Sequence, residues 1–139
     1  MNHPFTPSQP KLRVVLDVTQ SIAVDHQMQE IISLLHENLR QSHCEADLAK
    51  RLEISKRQFE RRFKAATGFP LQQYLKKIRL GKASELLATT FLSVKEISTQ
   101  IGIGEVKHFI ADFKQVYRLT PVEYRKRMYG KWRDVAFRL

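Results

Sequence analysis

The apolar residues of this chain fall twice into the same pattern. Leu48, Leu52 and Ile54 recur 49 residues later as Ile97, Ile101 and Ile103, and Phe59, Phe63 and Tyr74 recur 50 residues later as Phe109, Phe113 and Tyr124. The one-residue slip falls at the start of the second helix of each copy. A repeat of this length means one supersecondary unit used twice. Within each copy the three- and four-residue steps mark a short helix, a tight joint and a second helix. Ser55 opens the second helix of the first copy, because its hydroxyl can accept a bond from an unpaired first-turn amide. Gly68 ends that helix and Pro70 restarts the chain. The expectation is an all-α fold: two helix-turn-helix subdomains joined by a long linker helix.

The rest of the chain is arranged around these copies. Residues 1–24 read as a flexible leader or the remnant of an upstream domain, with a short β-branched strand expected over 11–18 (Val14, Val15 and Val18). From Asp25, taken as an N-cap, Met28, Ile31, Ile32, Leu35 and Leu39 mark a helix expected to end near residues 41–43. The first subdomain then covers 25–70, the linker helix 71–89, the second subdomain 90–128 and a frayed basic tail 129–139. The linker helix should span roughly 28 Å at about 1.5 Å per residue. Gly81 within it costs about 1 kcal/mol against alanine. Ser93 and Glu96 form a capping box for the next helix, Gly102-Ile103-Gly104 makes the second joint, and Thr120-Pro121 opens a last short helix through Met128.

Charge decides the partner. The 139 residues carry a net charge of +10, and all of that excess lies from residue 45 onward. Residues 45–82 hold eleven Lys or Arg against four Asp or Glu, and residues 93–128 hold seven against four. Such a surface suits a polyanion, with nucleic acid first and acidic membrane second. The single cysteine, Cys44, rules out an internal disulfide and fits a reducing cytoplasm. Cys44 and His43 adjoin, but no His/Cys cluster completes a tetrahedral metal site, and no cofactor is implied. No nucleophile elbow or glycine-rich phosphate loop is present, so enzymatic activity is not expected.

The second helix of the first copy exposes Lys56, Arg57, Gln58, Arg61 and Lys64 opposite its two phenylalanines. Arg57 and Arg61 are four apart and share a face, and arginine can bond guanine O6 and N7 with both fork nitrogens. Gln58 suits adenine. In the second copy Val106, Lys107 and His108 are the base-reading candidates, Val106 toward a thymine methyl, with His108 also suited to packing or a phosphate contact. Ser55, Lys56, Arg62, Lys64, Lys95 and Lys114 are candidate phosphate contacts, which position without specifying; Arg62 also has a structural reading, being nearer the phenylalanine side. Phe59, Phe63, Phe109, Phe113, Tyr117 and Tyr124 are assigned to the core. Two recognition helices entering successive major-groove segments must stand about 34 Å apart, and the linker helix is a strut of about that length. The alternative is a basic helical protein-interaction or membrane-surface module.

At these residues the sequence resembles the AraC/XylS family of bacterial transcription regulators, over about residues 25–128. The second copy carries the stronger match: Ile97-Ser98, Ile101-Gly102-Ile103, His108-Phe109, Phe113-Lys114 and Thr120-Pro121-Val122-Glu123-Tyr124-Arg125. The first adds Leu48-Ala49, Ile54-Ser55, Arg62-Phe63-Lys64, Gly68, Ile78-Arg79-Leu80, Ala83 and Leu86-Leu87. The resemblance implies a seven-helix, two-lobed DNA-binding domain, double-stranded DNA and RNA polymerase as partners, and an effector domain that is absent or truncated here. The chain departs from the family pattern with Gly104 where a capping serine is usual, Arg118 and Glu53 where glycine is usual, and Ile103 where phenylalanine is usual. Val106 and Ala111 stand where polar readers are usual.

Overall fold

The computed structural model describes the backbone of residues 10–138 and the side chains of residue 23 and of residues 25–134. Of the expected leader over 1–24, residues 1–9 lie outside them. Seven helices follow in order: α1 (Pro10–Glu37), α2 (Glu45–Arg51), α3 (Lys56–Thr67), α4 (Leu71–Thr89), α5 (Val94–Gln100), α6 (Val106–Tyr117) and α7 (Pro121–Arg138). Among the described residues there is no strand. No helix among them is long and apolar enough to cross a membrane.

Two cores form, one per repeat. The first gathers Met28, Ile31 and Leu35 of α1, Leu48 and Ala49 of α2 with the following Leu52, Phe59 and Phe63 of α3, and Leu71 and Leu75 of α4. The second gathers Leu80, Ala83 and Leu87 of α4, Ile97 of α5 with the following Ile101, and Phe109 and Phe113 of α6. The four phenylalanines are fully buried, each stabilising by about 1.5–3 kcal/mol. Tyr117 and Tyr124 are half-buried and pack on the second core, where Tyr117 stacks on Phe113 at 4.5 Å between ring centroids. The linker helix is therefore no bare strut. Its first half completes one core and its second half completes the other.

Three expectations are corrected. Residues 11–18 are helical, inside α1. Three valines favour a strand, but a lone strand leaves its backbone groups unpaired, whereas a helix pairs them internally. Asp25 is likewise not an N-cap. It lies well inside α1, which ends at Glu37 rather than near residues 41–43. Among the described side chains of α1, the apolar periodicity from Met28 meets the core, while the helix itself starts at Pro10. Finally, α7 does not stop at Met128 but runs to Arg138. Gly130 lies within it, because a single glycine weakens a helix by about 1 kcal/mol without ending it. The hydroxyl of Tyr129 donates to the Thr90 carbonyl at 2.6 Å and anchors this extension.

The joints hold as the residues suggest. Thr67–Gly68 closes α3, with Gly68 left-handed at φ 85°. Glu53 and Gly102, equivalent in the two repeats, are left-handed too, at φ 56° and 84°. In the second joint the buried Ser98 hydroxyl donates to the Ile103 carbonyl. Gly81 needs no glycine, since a Cβ there would meet nothing within 4 Å. Gly81→Ala is therefore expected to raise stability by about 0.5–1 kcal/mol, read as a higher denaturant midpoint at unchanged slope.

Candidate nucleic-acid interface

The outer face of α3 is set by its caps and its core. The Ser55 hydroxyl accepts from the Gln58 amide at 3.1 Å, and the Gln58 side-chain carbonyl accepts from the Ser55 amide at 3.0 Å. This reciprocal capping box fixes the first turn. With Phe59 and Phe63 buried, Lys56, Arg57, Gln58, Arg61 and Lys64 are left exposed. Arg57 and Arg61 stand one turn apart on that face. The Gln58 carbonyl is occupied by the cap, so a bidentate contact to adenine would require breaking it. Its amide nitrogen remains the available donor.

Two acids temper this face. Glu60 lies 3.9 Å from Lys56, an exposed pair of little energetic weight. Glu45, at the start of α2, has its carboxyl held above the usual range, first by a hydrogen bond with Glu60 and then by burial, with Lys56 opposing.

The α6 face is less cationic. Its N-cap is Glu105, with no side-chain cap bond. This corrects the capping position read at Gly104: Glu105 is the residue 50 after Ser55. Lys107 and His108 are exposed and Val106 is half-buried. The His108 ring lies 3.5 Å from the Glu105 carboxylate. Ala111, Ile110 and Val116 add a small, apolar part to the exposed face. Arg118 closes α6 in the left-handed region at φ 64°, where Gly68 closes α3. Lys95 and Lys114 are exposed.

Several cations counted toward the basic surface are instead bound within the fold. Arg62 lies 3.7 Å from Asp25 of α1, which supports its structural reading. Lys76 of α4 pairs with Asp112 of α6 at 3.1 Å. Arg62 and Asp112 are equivalent in the two repeats, so α3 is tied to α1 and α6 to α4, with the signs exchanged. Arg79 donates from Nε to the Leu39 carbonyl at 3.0 Å and from its terminal nitrogen to Gln41 at 3.1 Å. Burial lowers its guanidinium pKa. Arg125 donates to the Leu87 carbonyl at 3.1 Å, at the C-terminal end of α4, where a positive charge is favoured. Counting charge along the chain missed these ties. The signal available was position: Arg79 sits between Ile78 and Leu80, which join different cores.

Among the described residues no group of three His, Cys, Asp or Glu side chains is placed to hold a metal ion. Cys44 is exposed, and the His43 ring lies 3.3 Å from the Asn38 carbonyl.

The architecture and its exposed faces define a class: a tandem helix-turn-helix module built on one shared helix. The model of a helix-turn-helix domain family matches residues 48–127. The transcriptional activator RhaR of Mannheimia succiniciproducens is 31% identical over 104 residues, which is 75% of this chain and 38% of that protein. The transcriptional activator RhaS of Klebsiella pneumoniae is 29% identical over 102 residues, 73% of this chain and 37% of that protein. This chain thus spans well under half the length of those relatives. Among solved structures, the DNA-binding domain of AdpA, crystallised with a target DNA, superposes with a TM-score of 0.71 at 28% identity, covering 75% of this chain and 94% of that one. An AraC-type regulator from Chromobacterium violaceum gives 0.67 at 28% identity, covering 77% and 96%. The chain belongs to the AraC family of transcription regulators, as their helix-turn-helix DNA-binding domain.

Proposed function

We propose that this chain binds duplex DNA at an asymmetric site, with α3 and α6 entering successive major-groove segments, and so regulates transcription in the bacterial cytoplasm. The observation that carries the reading is the pairing of two 12-residue helices, each seated by two buried phenylalanines and exposed on the other side. The AdpA domain bound to its target DNA supports it. Arg57 and Arg61 are the main base readers, Gln58 contributes its amide donor, and Val106, Lys107 and His108 make the weaker second reading. Ser55, Lys56, Lys64, Lys95 and Lys114 meet phosphates. Arg62 joins them at the edge of the contact while holding Asp25. RNA polymerase is the partner a transcription activator such as RhaR or RhaS suggests. A membrane-surface role is disfavoured for α3, α4 and α6, whose apolar faces are taken up by the two cores.

Selection from random duplex DNA with the purified chain tests this reading. Enrichment of two boxes about one helical turn apart, unequal in sequence, is the expected result. A single box would remove α6 from base reading, and no enrichment at all would overturn sequence-specific binding.

A further inference from the structure

Phe91 stands between α4 and α5 with 94% of its surface in solvent. Water penalises an aromatic ring held in this way, and a cluster of such rings marks a contact surface. Phe91 has that company. Tyr129 of α7 lies 6.0 Å from it between ring centroids, and the Tyr129 hydroxyl bonds the neighbouring Thr90 carbonyl at 2.6 Å, so the loop is pinned where it presents the ring. Trp132, three residues on, is 60% exposed, and Val122, two turns earlier, is 51% exposed. Positions 122, 126, 129 and 133 follow four- and three-residue steps, which place Val122, Lys126, Tyr129 and Arg133 on one stripe of α7. Lys126 and Arg133 are exposed. Trp132 flanks that stripe on one side, about 100° round the helix from Arg133, and Glu123 and Asp134 lie on the other side, so the face from Trp132 to Lys126 is apolar and cationic without an acid in it. Neither core uses Phe91 or Trp132, and neither recognition helix includes them.

We infer that this face of α7, with Phe91 beside it, docks an acidic amphipathic segment of a partner protein. Its apolar side chains cover Phe91 and Trp132, and its carboxylates meet Lys126 and Arg133. Burial of the rings supplies affinity and the paired charges supply register, the arrangement by which a helix lies against an apolar surface through spaced anchors. A DNA backbone would answer the two cations but has no apolar surface to cover two aromatic rings.

Trp132 is the one tryptophan in the chain, so its fluorescence reports on this face directly. The test is selection of random displayed peptides of about sixteen residues, long enough for four helical turns, followed by titration of the enriched peptides into the whole chain. The expected peptides combine Asp or Glu with Leu or Phe and shift the Trp132 emission. Phe91→Ser and, separately, Arg133→Glu should each weaken them about tenfold or more, while Phe91→Ser leaves affinity for duplex DNA unchanged. Enriched peptides lacking acids, an unmoved emission, or full affinity in Phe91→Ser would overturn the inference. Displacement of the peptide by duplex DNA would reassign the face to DNA. An emission shift on concentrating the chain alone would reassign it to a second copy.

Discussion

Gly102→Ala is expected to cost about 3 kcal/mol of folding stability, well above the typical single substitution. Two effects add. Gly102 is left-handed at φ 84°, where a Cβ costs roughly 1–2 kcal/mol. That Cβ would also press on the Leu39 carbonyl oxygen and lie 2.9 Å from the Arg40 Cα, both backbone atoms that cannot rotate away. The repeat separates the two effects. Glu53 holds the equivalent place in the first joint at φ 56°, so the left-handed turn alone does not demand glycine. Gly68 supplies the second control: it is left-handed with open space around it, and Gly68→Ala should show the backbone strain alone. Denaturant unfolding of both variants is the measurement. A loss for Gly102→Ala no larger than for Gly68→Ala would mean that the loop beneath it yields.

The seating of Gly102 matters beyond stability. Leu39 and Arg40 belong to the connection between α1 and α2, in the first lobe, while Gly102 belongs to the joint of the second. Arg79 grips the same Leu39 carbonyl from α4, and Lys76 reaches from the first-lobe half of α4 to Asp112 on α6. The lobes are thus joined by backbone seating, a half-buried guanidinium and an ion pair in addition to the shared helix. Under the proposed binding mode, a module held in this way would read boxes at one separation. A DNA target whose grooves do not match must bend, at a cost of a few kcal/mol.

Much of this architecture is legible in the residues alone. The bounds of α3 and the start of α4 follow from the caps and breakers beside them, Ser55, Gly68 and Pro70, and the Phe-xxx-Phe steps of α3 and α6 point one face of each inward. Local chemistry settles such ends. What is not legible depends on partners distant in sequence. Nothing local shows that α1 extends back to Pro10, because Val14, Val15 and Val18 favour a strand and no capping residue marks the start. Nothing local shows that α7 passes Gly130, because the anchoring bond runs from Tyr129 to Thr90. The cations mislead for the same reason. Arg79 and Lys76 read as surface charge until the carbonyls and the carboxylate they hold are brought beside them. The exposure of Phe91 is of the same kind, since it depends on which elements pack around the loop between α4 and α5.

Arg57→Ala and Arg61→Ala are each expected to weaken binding to the selected site by about 1–3 kcal/mol, roughly 5- to 150-fold, and to relax preference at one base pair apiece. The two stand one turn apart on the exposed face of α3, away from the backbone carbonyls that hold Arg79 and Arg125, so their forks are available to guanine edges. The double variant need not add, since neighbours on one face share the same alignment of helix to groove. Lys64→Ala is the contrast. Removing a phosphate-binding ammonium should weaken selected and random duplexes alike and reduce the salt slope by about one charge. Gln58→Ala separates reading from folding: losing the exposed half of the capping box, while the Ser55 hydroxyl still caps the residue-58 amide, should appear in thermal unfolding at about 0.5–1 kcal/mol, before any DNA is added. Titrations of each variant against selected and random duplexes across a salt series distinguish these cases. If Arg61→Ala loses equally on both duplexes, Arg61 is a phosphate contact, and the reading passes to Arg57. If both arginines behave so, α3 grips the backbone without reading it, and specificity must come from the deformability of the DNA between two rigidly spaced lobes.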